Sequence, residues 1–132
     1  MNTHTEIGFK ILAQADAPLF QLAASIALTH HETFDGTGYP KQLAGHAIPL
    51  AGRIVALVDY FDALTMDKPY RASFSDAQAI EMVQVQSGKL FDPDMVKVFI
   101  ANIESFIQLR HSINASPMKY DQLVNYSHET FL

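Results

Sequence analysis

The chain has 132 residues and a net charge of -5, and 48% of its residues are hydrophobic while 17% are charged. A chain of this length folds as one domain that buries roughly two-thirds of its surface, so we expect a single core and no second domain. The acidic balance argues against nucleic-acid polymers and anionic membranes as partners, since binding to their phosphates relies on a basic field.

The sequence contains no cysteine, which excludes disulfides and thiolate metal sites and suits a reducing cytoplasm. Any metal ion would therefore be held by imidazole and carboxylate groups. No basic segment followed by an apolar stretch opens the chain, and no apolar run approaches the roughly 18 residues of a membrane-spanning helix. We expect a cytoplasmic protein without signal peptide or transmembrane helix.

Two helices are predicted before the most unusual segment of the sequence. Thr3 with Glu6 three residues later has the spacing of a capping box and predicts a helix over about residues 4–14. Pro18 suits a first helical turn and predicts a second helix that continues to about His31. This second helix is apolar almost all round, which predicts that it is buried among other helices.

The second helix ends at the segment 30–40, with the sequence HHETFDGTGYP. Buried imidazoles need carboxylates, carbonyls or a metal ion as partners, because an unpaired buried polar group costs roughly 1–3 kcal/mol. On the residues alone, a pair of structural histidines is the commoner explanation. Gly36 and Gly38 allow positive φ, and Pro40 fixes the exit of the turn, so we expect a shaped loop that carries Tyr39.

The third predicted helix covers residues 50–66 and contains an acidic residue in an unusual position. Asp59 lies beside Val55 and Val58, in the apolar sector of the helix. An ionised carboxylate in that sector needs a cation or several hydrogen-bond donors. Asp62 is expected to be solvated or paired with an arginine.

Two further helices bring the total to about five. Ser75, with Gln78 three residues later, caps a helix that Gly88 ends. Pro93 begins another helix that runs to about Arg110. The sequence therefore predicts an all-α fold with no strand.

The apolar periodicity ends near residue 111, so we expect a domain over 1–111 and a tail over 112–132.

The string HHExxDGTGYP resembles the signature of the HD-GYP family, a branch of the HD-domain metal-dependent phosphohydrolases that hydrolyse the bacterial messenger cyclic di-GMP. The resemblance covers roughly residues 4 to 100 in order and spacing. It continues through IP at 48–49, RI at 53–54, DYFDALT at 59–65, KPYR at 68–71, SG at 87–88 and FDP at 91–93. It implies an HD-domain-like helical bundle.

The resemblance also implies functional residues. The metal ligands that match the family pattern are His4, which precedes Gly8 by four residues, His30, His31 and Asp59. Such a mixed nitrogen and oxygen set suits Fe, Mn, Ni or Zn. The implied substrate-binding residues are Arg53, Lys68 and Arg71 as phosphate-binding cations, and Tyr39 within the loop of Gly38, Tyr39 and Pro40. Where the family usually has Arg, Lys68 keeps the charge and loses the bidentate fork.

One family feature is not matched, since no His-Asp pair occurs in the sequence. In the family this dyad precedes the segment that begins at His4, and its Asp bridges two metals. We therefore expect the bundle to lack the N-terminal helices that carry the dyad. The catalytic set would be incomplete, and the isolated chain would be an inactive C-terminal portion of a cyclic di-GMP phosphodiesterase.

Two alternatives remain open. One is a non-catalytic HD-GYP-like module that binds a cyclic dinucleotide or a diguanylate cyclase partner. The other is a structural helical domain whose histidines are satisfied core residues. Apolar surface that the absent helices would cover should be exposed, and large exposed patches usually find a partner, so we also expect a homodimer or a domain-swapped pair.

Overall fold

The computed structural model describes residues 3–115, in which it shows six α-helices. They are α1 (Thr3–Leu12), α2 (Pro18–Thr29), α3 (Leu50–Thr65), α4 (Asp76–Val85), α5 (Pro93–Ala101) and α6 (Ile103–Ala115). A short 3-10 helix, Gly45–Ala47, lies between α2 and α3. The described residues contain no β-strand and only two isolated bridges. The predicted all-α fold is confirmed.

The chain divides into two compact units, residues 1–100 and 101–132. The predicted boundary between residues 111 and 112 falls inside α6, which is continuous to Ala115. The beginning of the predicted tail is therefore helical, because the last turns of a helix need no apolar periodicity to form. Residues 116–132 of that tail lie outside the described part of the chain.

Two glycines set the spacing of the first three helices. A Cβ added to Gly8 of α1 would meet the Cβ of Ala27 in α2 at 3.3 Å, and one added to Gly52 of α3 would overlap the Thr29 side chain. Because neither glycine carries a side chain, α1 and α3 can both pack closely against α2. These approaches bring the polar residues of α1 and α3 to the C-terminal end of α2.

The hydrophobic core of the first unit holds α3 in place. Phe61 is fully buried, and its ring meets the Phe99 ring edge-on with centroids 5.2 Å apart. Such aromatic pairs contribute about 0.5–1.5 kcal/mol beyond their buried area. Further buried side chains of this core are Leu57, Leu64, Ala79, Val83 and Val96. The helix that carries Asp59 is therefore anchored by its opposite, apolar face.

The prediction that α2 is buried all round is wrong. Leu19 is 62% exposed and Leu22 is 50% exposed, while Ala24 and Thr29 are the buried residues of α2. The main neighbours of α2 are α1 and α3, which cover only part of its surface. An apolar composition shows that a helix can be buried, but it does not show how many neighbours the helix has.

The single helix predicted from Pro93 to Arg110 is two helices in the structure, α5 and α6, separated at Asn102. Asn is a weaker helix former than most residues around it, and the apolar spacing continues across the break.

The predicted capping box of α4 is confirmed, since the Ser75 and Gln78 side chains each bond to the other's backbone N–H. Within the described range, no helix combines the length and the hydropathy that crossing a membrane requires.

Candidate metal centre

Three histidines meet at the C-terminal end of α2. His4 lies in the first turn of α1, and His30 and His31 directly follow α2. The ring centroids are 4.2 Å apart for His30 and His31, 5.0 Å for His4 and His31, and 5.7 Å for His4 and His30. One ring nitrogen of each lies within 4.8 Å of the others. Because metal–imidazole bonds measure about 2.0–2.1 Å, these nitrogens are within reach of one ion after a small adjustment.

The His30 ring is already held in a ligand-competent tautomer. Its Nδ1 lies 2.9 Å from the carbonyl oxygen of Ile26 and 3.0 Å from that of Ala27. A carbonyl oxygen only accepts hydrogen bonds, so Nδ1 must carry the proton and donate it. The lone pair is then on Nε2, which is the nitrogen that can bind a metal ion. Metal-binding histidines commonly fix their second nitrogen in this way, so the donor set fits a divalent transition metal.

Asp59 of α3 shares cavities with two of the histidines, but it is not in the group of three whose ligand atoms lie within 4.8 Å of one another. With His30 it lines an open cavity of about 410 Å³ between α2 and α3, and with His30 and His31 it lines a second cavity of about 250 Å³. The Asp59 side chain is exposed and is not enclosed by apolar residues as the sequence suggests. The structure thus brings together the three histidines that the family pattern implies as ligands. The fourth implied ligand, Asp59, only shares cavities with His30 and His31, and metal binding by all four stays a prediction.

The pKa of His31 is lowered from its ordinary value of 6.5. Burial is the main cause, because removing the ring from water disfavours its charged form. Positive charge on His30 and His4 lowers it further, and the Asp59 carboxylate acts in the opposite direction. The neutral imidazole, which is the form that binds metals, therefore persists to lower pH than in an exposed histidine.

The loop after the histidines folds back onto them. The Tyr39 ring stacks on the His31 ring with centroids 4.9 Å apart and an interplanar angle of 19°, and the Tyr39 N–H donates to the His31 carbonyl over 3.1 Å. A Cβ on Gly38 would meet the His31 carbonyl oxygen and the Thr33 nitrogen at 2.5 Å. The Tyr39–Pro40 peptide is cis.

The predicted positive φ is present at Gly36, where φ is 83°, but not at Gly38. The reason for glycine at position 38 is the close approach of two backbone segments.

Two carboxylates fix the shape of this loop. Asp35 accepts hydrogen bonds from the Thr33 and Thr37 hydroxyls, both at 2.7 Å, and from the Thr37 N–H at 3.1 Å. The Thr33 and Thr37 bonds hold the pKa of Asp35 below its usual value. Glu32 is buried and accepts the N–H groups of Lys41 and Leu43. The sequence analysis gave neither carboxylate a role.

Arg53, which the sequence analysis expects to bind phosphate, is engaged in a nearly buried ion pair. Its Nη1 lies 2.6 Å from Asp92 Oδ2, and its Nε donates to the Ile48 carbonyl over 2.9 Å. Burial alone would raise the pKa of Asp92, but the bonds from Arg53 and from the Asp94 N–H outweigh it and lower that pKa. The ion pair joins α3 to the start of α5, and a phosphate contact by Arg53 stays a prediction that must compete with it.

His46 and Asp94 lie close enough to Asp92 for the three to form a second group of possible ligands. His46 Nε2 is 3.8 Å from the same Asp92 oxygen that Arg53 contacts. His46 and Asp94 are exposed, and the Arg53 guanidinium already neutralises Asp92. We therefore do not count this group as a metal site.

Lys68 and Arg71 face each other across a tight turn after α3, with backbone bonds of 2.9 and 3.3 Å between them. The Arg71 Nη2 lies 3.4 Å from the Ala63 carbonyl oxygen, and its guanidinium lies 4.7 Å from the Phe74 ring centroid. Ala63 lines the same 250 Å³ cavity as the histidines and Asp59. Arg71 is thus bonded to a residue that lines this cavity without lining the cavity itself, and a phosphate contact by Arg71 or Lys68 stays a prediction.

A family model described as HD domain matches residues 1–95. The chain is 45% identical over 100 residues to a cyclic di-GMP phosphodiesterase of Thermotoga maritima, covering 76% of this chain and 27% of the relative. It is 41% identical over 113 residues to a 3'3'-cGAMP-specific phosphodiesterase of Vibrio cholerae, covering 86% of this chain and 22% of the relative.

A crystal structure of a cyclic GMP-AMP specific phosphodiesterase from Vibrio cholerae is similar in fold. Its TM-score is 0.61 at 27% identity, with 76% of this chain and 22% of that chain covered. The chain therefore spans about a quarter of the length of the relatives that it matches.

Proposed function

The chain belongs to the HD domain family, in its HD-GYP branch, and from this premise we propose that it forms the metal-binding and dinucleotide-binding part of a cyclic di-GMP phosphodiesterase. The observation that supports the proposal is the cluster of three imidazoles from α1 and the end of α2, beside a cavity that Asp59 of α3 lines with two of them. The relatives' names supply the substrate class, and the cavity beside the histidines supplies a place for it.

The proposed metal ligands are His4, His30, His31 and Asp59, and the ion would be Fe, Mn, Ni or Zn. A divalent ion in this position supplies an activated water at neutral pH and neutralises charge on the attacked phosphate. The residues themselves orient the lone pairs, since the Ile26 and Ala27 carbonyls hold His30 and the Tyr39 ring packs on His31.

The substrate proposed for the site is cyclic di-GMP, a dianion with two phosphodiester bonds. Arg71, which bonds to the Ala63 carbonyl, and Lys68 in the same turn would neutralise a phosphate, and Tyr39 would contact the phosphate or a guanine. Hydrolysis breaks one P–O ester bond, adds the oxygen of water to phosphorus and returns a proton to the leaving sugar oxygen. Relatives named for 3'3'-cGAMP make that dinucleotide the natural competitor to test.

We propose that this chain by itself binds the ion and the dinucleotide with little or no turnover. Two-metal phosphodiester hydrolysis uses ions about 3.5–4 Å apart, and two such ions need more ligands than the four proposed side chains. The alternative is a degenerate module that binds a cyclic dinucleotide or a diguanylate cyclase partner and has no catalytic role, and metal-dependent hydrolysis by the chain would exclude that alternative.

We also propose that the protein is cytoplasmic and self-associates through the apolar residues of α1 and α2. Ile7 and Ile11 of α1 are 54% and 65% exposed, and Leu19 and Leu22 of the neighbouring helix α2 are 62% and 50% exposed. A diguanylate cyclase domain is the alternative occupant of such a surface. Self-association of the purified chain at high concentration would favour the second copy, because no cyclase domain is present in that sample.

The function is tested with purified protein, one divalent metal at a time, and labelled cyclic di-GMP. We expect metal-dependent binding of the dinucleotide that His31→Ala removes and that His111→Ala, an exposed histidine of α6, leaves unchanged. Hydrolysis by the wild-type chain that His31→Ala abolishes would contradict the proposed lack of turnover. Equal dinucleotide binding by wild type and His31→Ala would contradict the proposed site.

A further inference from the structure

Glu32 is a buried carboxylate that directly follows His31. It is 3% exposed and lines the 250 Å³ cavity together with His30, His31 and Asp59. Its Oε1 accepts the Lys41 N–H over 2.7 Å, and its Oε2 accepts the Leu43 N–H over 3.0 Å. Both oxygens are thus committed to the backbone of the loop, and charge-assisted bonds of this kind are among the stronger ones in proteins.

The loop segment between the histidines and Leu43 is therefore held at two points. The Glu32 carboxylate accepts the backbone N–H groups of Lys41 and Leu43, and the Tyr39 N–H donates to the His31 carbonyl. Tyr39 carries one of these attachments and lies two residues before the other, which begins at Lys41. Its backbone is therefore held on both sides of the stacked ring.

We propose that Glu32 is a positioning residue that, through the loop, keeps the Tyr39 ring stacked on His31 and so sets the orientation of the His31 imidazole in the metal site. The His31 ring is partly buried and is bordered by two other histidines, and the stacked Tyr39 ring restricts rotation about its side-chain bonds. The inference rests on the proposed metal site, and it adds a residue that acts on the site without binding the ion.

The chemistry requires a carboxylate at position 32. Two backbone N–H groups need two acceptor oxygens, whereas an amide of the same shape offers one oxygen and one NH₂ donor. In Glu32→Gln the NH₂ group would face a backbone donor, and one buried N–H would lose its acceptor. One side of the loop is then released while the size of the side chain is unchanged.

The first measurement needs no metal. Trypsin can cleave after Lys41, whose backbone N–H is one of the two groups that Glu32 holds. We expect Glu32→Gln to be cleaved there at least tenfold faster than wild type, with cleavage after Lys10 of α1 as the internal reference. Glu81→Gln, the same chemical change at an exposed site on α4, should behave as wild type. Equal rates of cleavage after Lys41 in wild type, Glu32→Gln and Glu81→Gln would overturn the proposal that Glu32 holds the loop.

The second measurement uses Co²⁺ as the probe, because its visible spectrum reports ligand geometry. We expect Glu32→Gln to bind Co²⁺ about 10–100-fold more weakly, which is the usual effect of losing a residue that orients a metal ligand. We also expect its Co²⁺ spectrum to differ from that of wild type. Tyr39→Leu, which removes the ring and keeps Glu32, should show the same spectral change, and Tyr39→Phe should restore the wild-type spectrum. Wild-type spectra and affinities for both Glu32→Gln and Tyr39→Leu would overturn the proposal.

The two measurements separate this inference from the proposed function. Wild-type protein that binds no Co²⁺ would contradict the metal site, and with it the positioning of a ligand, whatever the trypsin result. Should Glu32→Gln lose its helical circular dichroism, the pair Tyr39→Leu and Tyr39→Phe decides the question, since both keep the Glu32 bonds intact.

Discussion

At the scale of single residues, the fold fixes the tautomer of His30 and favours the neutral form of His31 before any ion binds. The carbonyls of Ile26 and Ala27 fix the proton of His30 on Nδ1, and burial keeps His31 neutral below its ordinary titration range. The first leaves Nε2 as the nitrogen of His30 that can bind a metal ion, and the second favours the neutral form of His31 that binds one.

The lowered pKa of His31 predicts a pH dependence of stability in the metal-free protein. Between the unfolded value of 6.5 and the lower folded value, the unfolded chain binds more protons at this residue than the folded chain. The free energy of unfolding must therefore fall as pH decreases through this window. Urea denaturation at pH 7.5, 6.5 and 5.5 measures it. His31→Asn should flatten the dependence, and an equally steep dependence in that variant would contradict the assignment to His31.

Gly38 gives a second prediction at this scale. Gly38→Ala places a methyl group against the His31 carbonyl and the Thr33 nitrogen, so we expect a loss of about 1–3 kcal/mol in unfolding free energy and weaker metal binding. Gly45→Ala is the matched control, because no atom lies within 4 Å of its added methyl and only its φ of 56° opposes the change. Denaturation and metal titration of both proteins make the comparison. Unchanged metal affinity in Gly38→Ala would contradict the described contact.

At the scale of helices, close approaches and one ion pair fix the site. Gly8 and Gly52 let α1 and α3 pack against α2, and the Arg53–Asp92 pair joins α3 to the start of α5. The helix that carries Asp59 is thus positioned from both sides. Changes at these contacts should move the site without touching any proposed ligand.

The ion pair gives the prediction at this scale. Asp92→Asn leaves the Arg53 charge nearly buried without its carboxylate, and breaking such a pair costs about 3–5 kcal/mol. Because the pKa of Asp92 is lowered in the fold, the contribution is present above the ordinary carboxylate pKa of 3.8 and is lost as pH falls through the lower folded value. Denaturation of Asp92→Asn and Asp94→Asn at pH 7 measures the difference. A similarly small loss of unfolding free energy in both variants would contradict the predicted contribution of the Arg53–Asp92 ion pair.

Sequence patterns predicted where the helices begin better than they predicted which helix faces are buried. The starts of α2, α3, α4 and α5 follow from Pro18, the apolar run after Pro49, the Ser75 box and Pro93, which are local signals. The break at Asn102 and the exposed face of α2 depend on neighbours that periodicity does not reveal. In the site, motif spacing identified His30 and His31, whereas the roles of Glu32 and Arg53 depend on residues that are distant in sequence.

At the scale of the whole molecule, exposed apolar residues are concentrated on α1 and α2. Ile7, Ile11, Leu19 and Leu22 are each at least half exposed, and α2 carries no charged residue that would oppose burial against a second copy. A surface of this kind is usually covered in solution. The proposed self-association follows from this property.

Leu22→Glu should therefore shift the protein toward the monomer, since it places a charge on the proposed interface. Leu109→Glu on α6, at a leucine that is also more than half exposed, is the control and should leave the assembly unchanged. Light scattering after size exclusion, over a range of concentrations, measures the mass. A wild-type monomer at high concentration would contradict the proposal.

The most direct test of the metal site is the stoichiometry and affinity of a transition metal in wild type, His31→Ala, Asp59→Ala and Asp62→Ala. Asp62 is an exposed carboxylate on the same helix as Asp59 and serves as the matched control. Calorimetric titration with Mn²⁺, Ni²⁺ and Zn²⁺ should show one ion per chain in wild type and in Asp62→Ala, and a large loss of affinity in His31→Ala and Asp59→Ala. No stoichiometric ion in wild type, or equal affinity in all four proteins, would contradict the account.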